Sequence, residues 1–424
     1  MRKKLLAGML ALALCSTNMP PQTIFAEEFT SGNQDVVSEE ETPEIFTNEE
    51  QEAEGETDEE LSVFSSEDIP EFNDTPDEAM AAAENAQNEV IDLTDNTKVS
   101  GGVYTITSAG DYKFTCSNSQ ETANRIVVDG GNTSEQDNIN IYLNKVNINT
   151  STGPALRINV NVKATVTIYL TGTNNLIAKN TWYAGLQKAN TASLIITTKV
   201  LDPTAGILNA HGSSDGDGAG IGGSNITINS CSVIASSKYG AGIGGNKQGA
   251  GSNITINSAS VTASSTNGAG IGGGLYGDGS DIIINSSSVT ASSTNGAGIG
   301  GGEGNSCSDI TINNSSVTAS STNGAGIGGG KGGAGSNNIT INGGSVKASS
   351  VSGSPTNEGK EVYCCTIENP ENANVTIKTG TGSRVWDWKP VNHSSLDPDD
   401  TNLYVWLPKL EDNSTKSNYM ITLN

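Results

Sequence analysis

The sequence predicts an all-β chain, a right-handed parallel β-helix of about ten coils with a disordered acidic N-terminal arm and a C-terminal cap. Three observations carry this prediction. The tetrapeptide Ile-Thr-Ile-Asn begins at Ile226 and recurs at Ile254, Ile282 (as Ile-Ile-Ile-Asn), Ile310 and Ile339, at offsets of 28, 28, 28 and 29 residues. Seven residues after each start stands a valine, namely Val233, Val261, Val289, Val317 and Val346, in a V-x-A-S context. Seven residues later comes Gly-Ala-Gly-Ile-Gly-Gly, at Gly240, Gly268, Gly296 and Gly324, with an earlier copy at Gly218.

Each copy reads as three short strands. Ile226 and Ile228 alternate with Thr227, Val233 and Ala235 do the same in the second segment, and Ala219 and Ile221 alternate with glycines, the period-two signature of a strand with one apolar face. Helix is excluded, because β-branched residues, Gly and Asn fill the unit and no 3.6-residue stripe exists. Three strands in about 28 residues make one coil of a parallel β-helix, whereas a propeller blade needs about 40 residues and four strands. Asn229, Asn257, Asn285, Asn313 and Asn342 end the first strand of successive coils, where Asn tolerates left-handed backbone and bonds to its neighbours above and below. Segments 246–253, 274–281, 302–309 and 330–338 are predicted to form loops stacked on one edge.

The pattern extends upstream in degraded form. Val166-x-Ile168, Leu176-x-Ala178 and Ala184-Gly185-Leu186 make one coil, and Leu194-x-Ile196, Leu208-x-Ala210 and Ala219-Gly220-Ile221 make the next. The organisation read from the chain is a signal peptide at 1–26, an acidic disordered linker at 27–96, the β-helix at 97–380 with its regular repeats at 226–350, and a cap at 381–424. The cap concentrates Trp386, Trp388, Tyr404 and Trp406 and would cover the last open coil.

Charge supports the same division. The formal net charge is −25, yet 24 acids and no Lys or Arg lie between Glu27 and Asp92. That segment cannot repay chain entropy by burying apolar surface. Residues 93–424 hold 23 acids and 19 bases, so the body is nearly neutral, and nucleic-acid binding by phosphate neutralisation is excluded. Arg2-Lys3-Lys4 followed by the apolar run Leu5–Cys15 reads as a secretory leader too short to span a membrane. The expected location is therefore secreted or at the extracellular surface of a bacterium. The remaining cysteines, Cys116, Cys231, Cys307, Cys364 and Cys365, are odd in number and irregularly spaced, which suits small buried positions better than a disulfide framework.

Val99–Tyr112, Asn138–Asn149, Ser151–Leu156 and the Gly-Ala-Gly-Ile-Gly-Gly coils resemble the secreted clostridial carbohydrate-binding parallel β-helix proteins, of pectin-lyase-like architecture. The resemblance covers about residues 97–350. It implies non-catalytic binding of an acidic plant polysaccharide such as polygalacturonate, with calcium held by acidic loops.

The residues themselves offer two candidate sites. The residue preceding each Gly-Ala-Gly, or its equivalent, is Trp182, Asp217, Tyr239, Asn267, Asn295 and Asn323 in successive coils. Trp182 and Tyr239 would then stand two coils apart, about 9–10 Å on one edge, a span of two sugar residues. With Tyr183, Asp217 and Tyr276 they form the candidate carbohydrate-binding set; packing that shields the coil edge is the alternative. Ca²⁺ is the candidate cofactor, with Asp215, Asp217, Asp278, Asp281 and Asp309 as oxygen ligands in flexible loops. Gly277-x-Gly279-x-Asp281-x-Ile283 matches part of a calcium-binding nonapeptide, and the competing role for each Asp is turn formation. β-Helix lyases and hydrolases need clustered acids plus Arg or Lys on one strand face. Asp215 and Asp217 are the sole close acid pair of the repeats, so no catalytic residue is assigned and the chain is expected not to be an enzyme. A surface adhesin or spacer rod and a polysaccharide lyase or hydrolase are the competing readings.

Overall fold

The computed structural model describes residues 89–130, 134–180, 182–189, 192–199, 206–335, 338–351 and the strands Val362–Glu368, Val375–Thr379, Asn402–Pro408 and Tyr419–Leu423. The leader at 1–26, the acidic segment up to residue 88 and most of 381–424 lie outside the described residues.

The chain winds through three faces in turn. The first face stacks Val90–Asp92, Gly110–Thr115, Asn138–Asn144, Thr165–Thr171, Ser193–Thr198, Ile226–Asn229, Gly251–Asn257 and Gly279–Asn285, in parallel pairs. The second stacks Asn147–Thr150, Thr173–Ala178, Ile207–His211, Ser232–Ser236, Ser260–Ser265 and Ser288–Ser293. In the last two rungs these faces merge into single strands, Ile310–Ser321 and Ile339–Ala348. The third face is a nine-stranded parallel sheet running from Val103–Ile106 to Ile327–Gly328.

Register follows the repeat. Ile226 pairs with Ile254, Ile254 with Ile282, Ile282 with Ile310, and Ile310 with Ile339. The first four of these isoleucines are fully buried, as are Val233, Ile243 and Ile271. Burying one such side chain contributes roughly 1.5–3 kcal/mol, so the stacked columns form one continuous core rather than separate clusters. The polar partner of each column faces water, and the Asn ladder is continuous. Asn257 donates to Asn229 (2.9 Å), Asn285 to Asn257 (2.8 Å), Asn313 to Asn285 (2.7 Å) and Asn342 to Asn313 (2.7 Å). The left-handed backbone expected at these asparagines falls one residue later, at Ser230, Ser258, Ser286 and Asn314. The Asn itself stays in the strand because its side chain must lie flat along the stack to bond both ways.

The third face explains the glycines. A Cβ on Gly270 would lie 2.6 Å from the Gly298 carbonyl oxygen, and Gly272 adopts φ +131°. Only glycine permits that approach and that conformation. The strand Ile271–Gly272 is two residues long and buries its isoleucine, so the face is thin and tight.

Parallel winding covers about eight turns, fewer than the ten expected. It ends with Ile339–Ala348 and the bridge of Ile327 to Val351. The next strand, Val362–Glu368, pairs antiparallel with Lys347–Ala348 and with Asn402–Pro408. The strand-forming residues between 352 and 380 fit the expected β-helix by composition, but composition does not encode strand direction. At the other end, Val90–Asp92 starts the first face before residue 97.

Cys116, Cys231 and Cys307 are buried, and burial pushes the Cys231 thiol up to about 12. Lys188 is the unusual core member. Its side chain is 4% exposed, its ammonium donates to the Ala189 carbonyl at 2.9 Å, and burial lowers its pKa to about 8.

Two outcomes test this arrangement. Asn285→Ala removes two ladder bonds and is expected to lower stability by about 1–2 kcal/mol in chemical denaturation. Lys188→Met is expected to raise stability at pH 7 by up to about 3 kcal/mol, the cost of a charged amine whose pKa falls from 10.5 to about 8 on folding. The unfolded chain holds that proton longer, so the advantage of Lys188→Met is present below pH 8 and shrinks as pH rises towards 10.5. Unfolding curves of both proteins across that range measure it.

Candidate functional site

The turn from the second to the third face forms an edge of stacked residues. Leu186, Ile221 and Ile243 are register partners, so the residues four positions earlier, Trp182, Asp217 and Tyr239, occupy three successive rungs of that edge. At rung spacing Trp182 and Tyr239 are about 9–10 Å apart along the stack, with Asp217 between them. Trp182 is 68% exposed and its backbone N–H is held by the Asn180 side chain at 3.2 Å. Tyr183 follows it half-buried, its backbone pressed against Gly218, where a Cβ would lie 2.1 Å away.

Beside this column runs a groove of about 470 Å³, lined by Lys179, His211, Ser213, Ser236, Lys238 and Thr266, among others. His211 and Ser236 are register partners on neighbouring rungs, and His211 Nδ1 lies 2.6 Å from Ser236 Oγ. Burial lowers the His211 pKa, which keeps the ring neutral at pH 7. Neither residue was a candidate from the sequence: they lie 25 positions apart, off the 28-residue period.

The loops after the third face do more than stack. Because Ile243–Gly244 is so short, Gly245 turns the chain back, and its carbonyl accepts from Ala241 N–H at 2.8 Å. Lys247, Leu275, Glu303 and Lys331 then donate backbone N–H bonds to Asp217, Tyr239, Asn267 and Asn295, at 2.8, 2.7, 2.9 and 2.8 Å. The loops therefore fold over the third face onto the edge column. This brings Tyr276, 56% exposed and at φ +60°, next to the residue bonded to Tyr239.

Charges close around Tyr239. Lys238 lies 5.1 Å and Lys247 5.4 Å from its ring centroid. Lys238 pairs with Asp215 at 3.0 Å and Lys247 with Asp217 at 3.2 Å. The Asp215 hydrogen bond and the nearby Tyr239 hold the Lys238 pKa above its usual value.

The five candidate calcium ligands are not assembled. Asp215 and Asp217 engage lysines, and Asp278 accepts from the Asn305 side chain (2.9 Å) and from Ser306 N–H (3.2 Å). Asp281 and Asp309 occupy the left-handed position just before Ile282 and Ile310, at φ +51° and +50°, in line with Asn225 and Asn253. That is turn formation. Among the described residues no three His, Cys, Asp or Glu side chains group as metal ligands, whereas Ca²⁺ takes about 6–8 oxygens. This arrangement does not fit a preformed calcium site.

His211 supplies a measurable signature. Its folded pKa lies below the ordinary 6.5, so the unfolded chain takes up the proton first as pH falls. Its stabilising contribution is full above pH 6.5 and is lost on acidification towards and through the folded pKa. Between pH 7.5 and 5 the wild-type Tm is expected to fall further than that of His211→Gln, measured by thermal unfolding at matched ionic strength.

A family model described as a beta helix repeat matches residues 226–247, 254–275, 282–303, 310–331 and 339–354. No curated protein and no solved structure matches the chain. The repeat matches and the three stacked parallel faces support a β-helix fold of the pectin-lyase-like kind.

Proposed function

We propose that the protein is a secreted or cell-surface carbohydrate-binding module without catalytic activity, and that the edge bearing Trp182, Asp217 and Tyr239 receives a plant or cell-wall polysaccharide. The observation that carries this reading is Trp182. A 68% exposed indole, set two rungs from Tyr239 beside a polar groove, offers an apolar ring face and has no burial role. Sugar CH surfaces stack on such rings, while Ser213, Ser236 and Thr266 in the groove supply hydroxyls for hydrogen bonds. Export is supported by the Arg2-Lys3-Lys4 and Leu5–Cys15 pattern of the leader.

The non-catalytic reading is supported by the fate of the acids. Asp215 and Asp217 are committed to Lys238 and Lys247, whereas glycoside hydrolysis uses a pair of carboxylates flanking the scissile bond. Those lysine pairs also argue for binding that does not depend on calcium. The unbroken Asn ladder supports a second reading, a spacer rod whose faces serve only to stack.

A polysaccharide affinity-gel series separates these readings. The full chain is expected to be retained, and Trp182→Ala combined with Tyr239→Ala to weaken retention at least about tenfold, the loss of roughly 1.4 kcal/mol. Retention is expected to be the same in calcium and in chelator. Undiminished retention of the double variant refutes the edge as the binding surface, and no retention on any gel favours the rod. Release of unsaturated or reducing sugar ends would reveal a lyase or hydrolase instead.

A further inference from the structure

The body of the protein contains few arginines, and two of them share the third face. Arg125 belongs to the strand Arg125–Val128 and Arg157 to the next rung, Leu156–Ile158, with Arg157 in register with Val127 and with Gln187 on the rung above. Ile126, Leu156 and Leu186 point into the core, so alternation turns Arg125, Arg157 and Gln187 outwards. The Arg125 guanidinium lies over Gly153, where a Cβ would come within 2.0 Å of Nη1. Glycine there leaves the guanidinium its bed.

Neither arginine joins an ion pair among the described residues. Two acids near them in the chain are otherwise engaged: Glu121 accepts from the Asn149 side chain at 2.8 Å, and Asp129 accepts from the Asn161 side chain at 2.5 Å. Arg125 Nε is buried with no acceptor, and Gln187 Oε1 is buried with no donor. Burial and the like charge of Arg157 both lower the Arg125 pKa, while Tyr183 acts on it in the opposite sense. An orphaned guanidinium N–H is costly to leave unmade, and two adjacent positive charges without a counter-charge repel.

We propose that Arg125, Arg157 and the amide of Gln187 form a site for a compact divalent oxyanion, a sulfate or phosphate group carried by the ligand. Planar guanidinium forks match the oxygens of such a group, and its double charge balances both arginines, which a single carboxylate cannot. The amide of Gln187, turned to present its NH₂, adds a neutral donor. The site lies on the third face, from the Arg125 rung up to the rung that also carries Trp182, and does not rest on the carbohydrate reading.

Isothermal titration of the full chain with inorganic sulfate and with inorganic phosphate tests the proposal, with chloride and acetate at matched ionic strength as controls. Saturable binding of one equivalent of sulfate or phosphate is expected, and the preferred ion identifies the group. Arg157 is exposed, so Arg157→Ala should fold, confirmed by its circular dichroism, and is expected to weaken binding at least about tenfold. Trp182→Ala is expected to leave it unchanged, which separates this site from the aromatic edge. Absence of saturable binding, equal binding of acetate, or an unaltered affinity in Arg157→Ala would overturn it.

Discussion

Everything in this structure depends on how closely the third face brings backbone to backbone. With Gly270 and Gly272 stripped of side chains, successive rungs meet carbonyl to Cα, and a strand of two residues suffices. A Cβ at either position would push the rungs apart and break the register of the isoleucine columns on the first face. The same shortness forces the chain to reverse at Gly245, so loops fold back and bond to the edge column. The surface around Tyr239 is thus a consequence of the glycine pattern, although no glycine side chain touches it.

Charge is distributed with comparable economy. The acidic excess belongs to the N-terminal segment, and the body is close to neutral. Within the body, Asp215 and Asp217 are matched by Lys238 and Lys247, and those lysines frame an aromatic ring. Such exposed pairs contribute little stability, about 0–1 kcal/mol each, so their interest lies in how they shape the edge. Arg125, Arg157 and Lys188, all on strands of the third face, join no ion pair among the described residues. Lys188 costs stability in the core, whereas the arginines face outwards where a ligand can supply the missing charge.

Much of the fold was legible because the repeat is nearly exact. An offset of 28 residues carries Ile254 onto Ile282 and Asn257 onto Asn285 without any knowledge of contacts. The edge column of Trp182, Asp217 and Tyr239 follows instead from the Gly-Ala-Gly positions, since its members are 35 and 22 residues apart. The pair of His211 and Ser236 was not legible, because the rung between them is shortened and its register is set only by strand pairing. The sequence shows Tyr276 as an aromatic in an edge loop, but its place next to the residue bonded to Tyr239 depends on the return path of that loop. The roles of the acids were not legible for a related reason: an Asp in a glycine-rich loop looks the same whether it binds a cation, pairs with a lysine or holds a left-handed turn.

By itself the sequence determined the parallel β-helix, the three faces and the identity of each core column, since apolar period two and a constant repeat are local properties. The tertiary structure decided where parallel winding stops, which carboxylates pair with lysines, and which side chains meet across rungs. Those outcomes depend on strand direction, on unequal rung lengths and on the return path of loops. They are set by hydrogen bonds between residues about 25–36 positions apart, which no local pattern encodes.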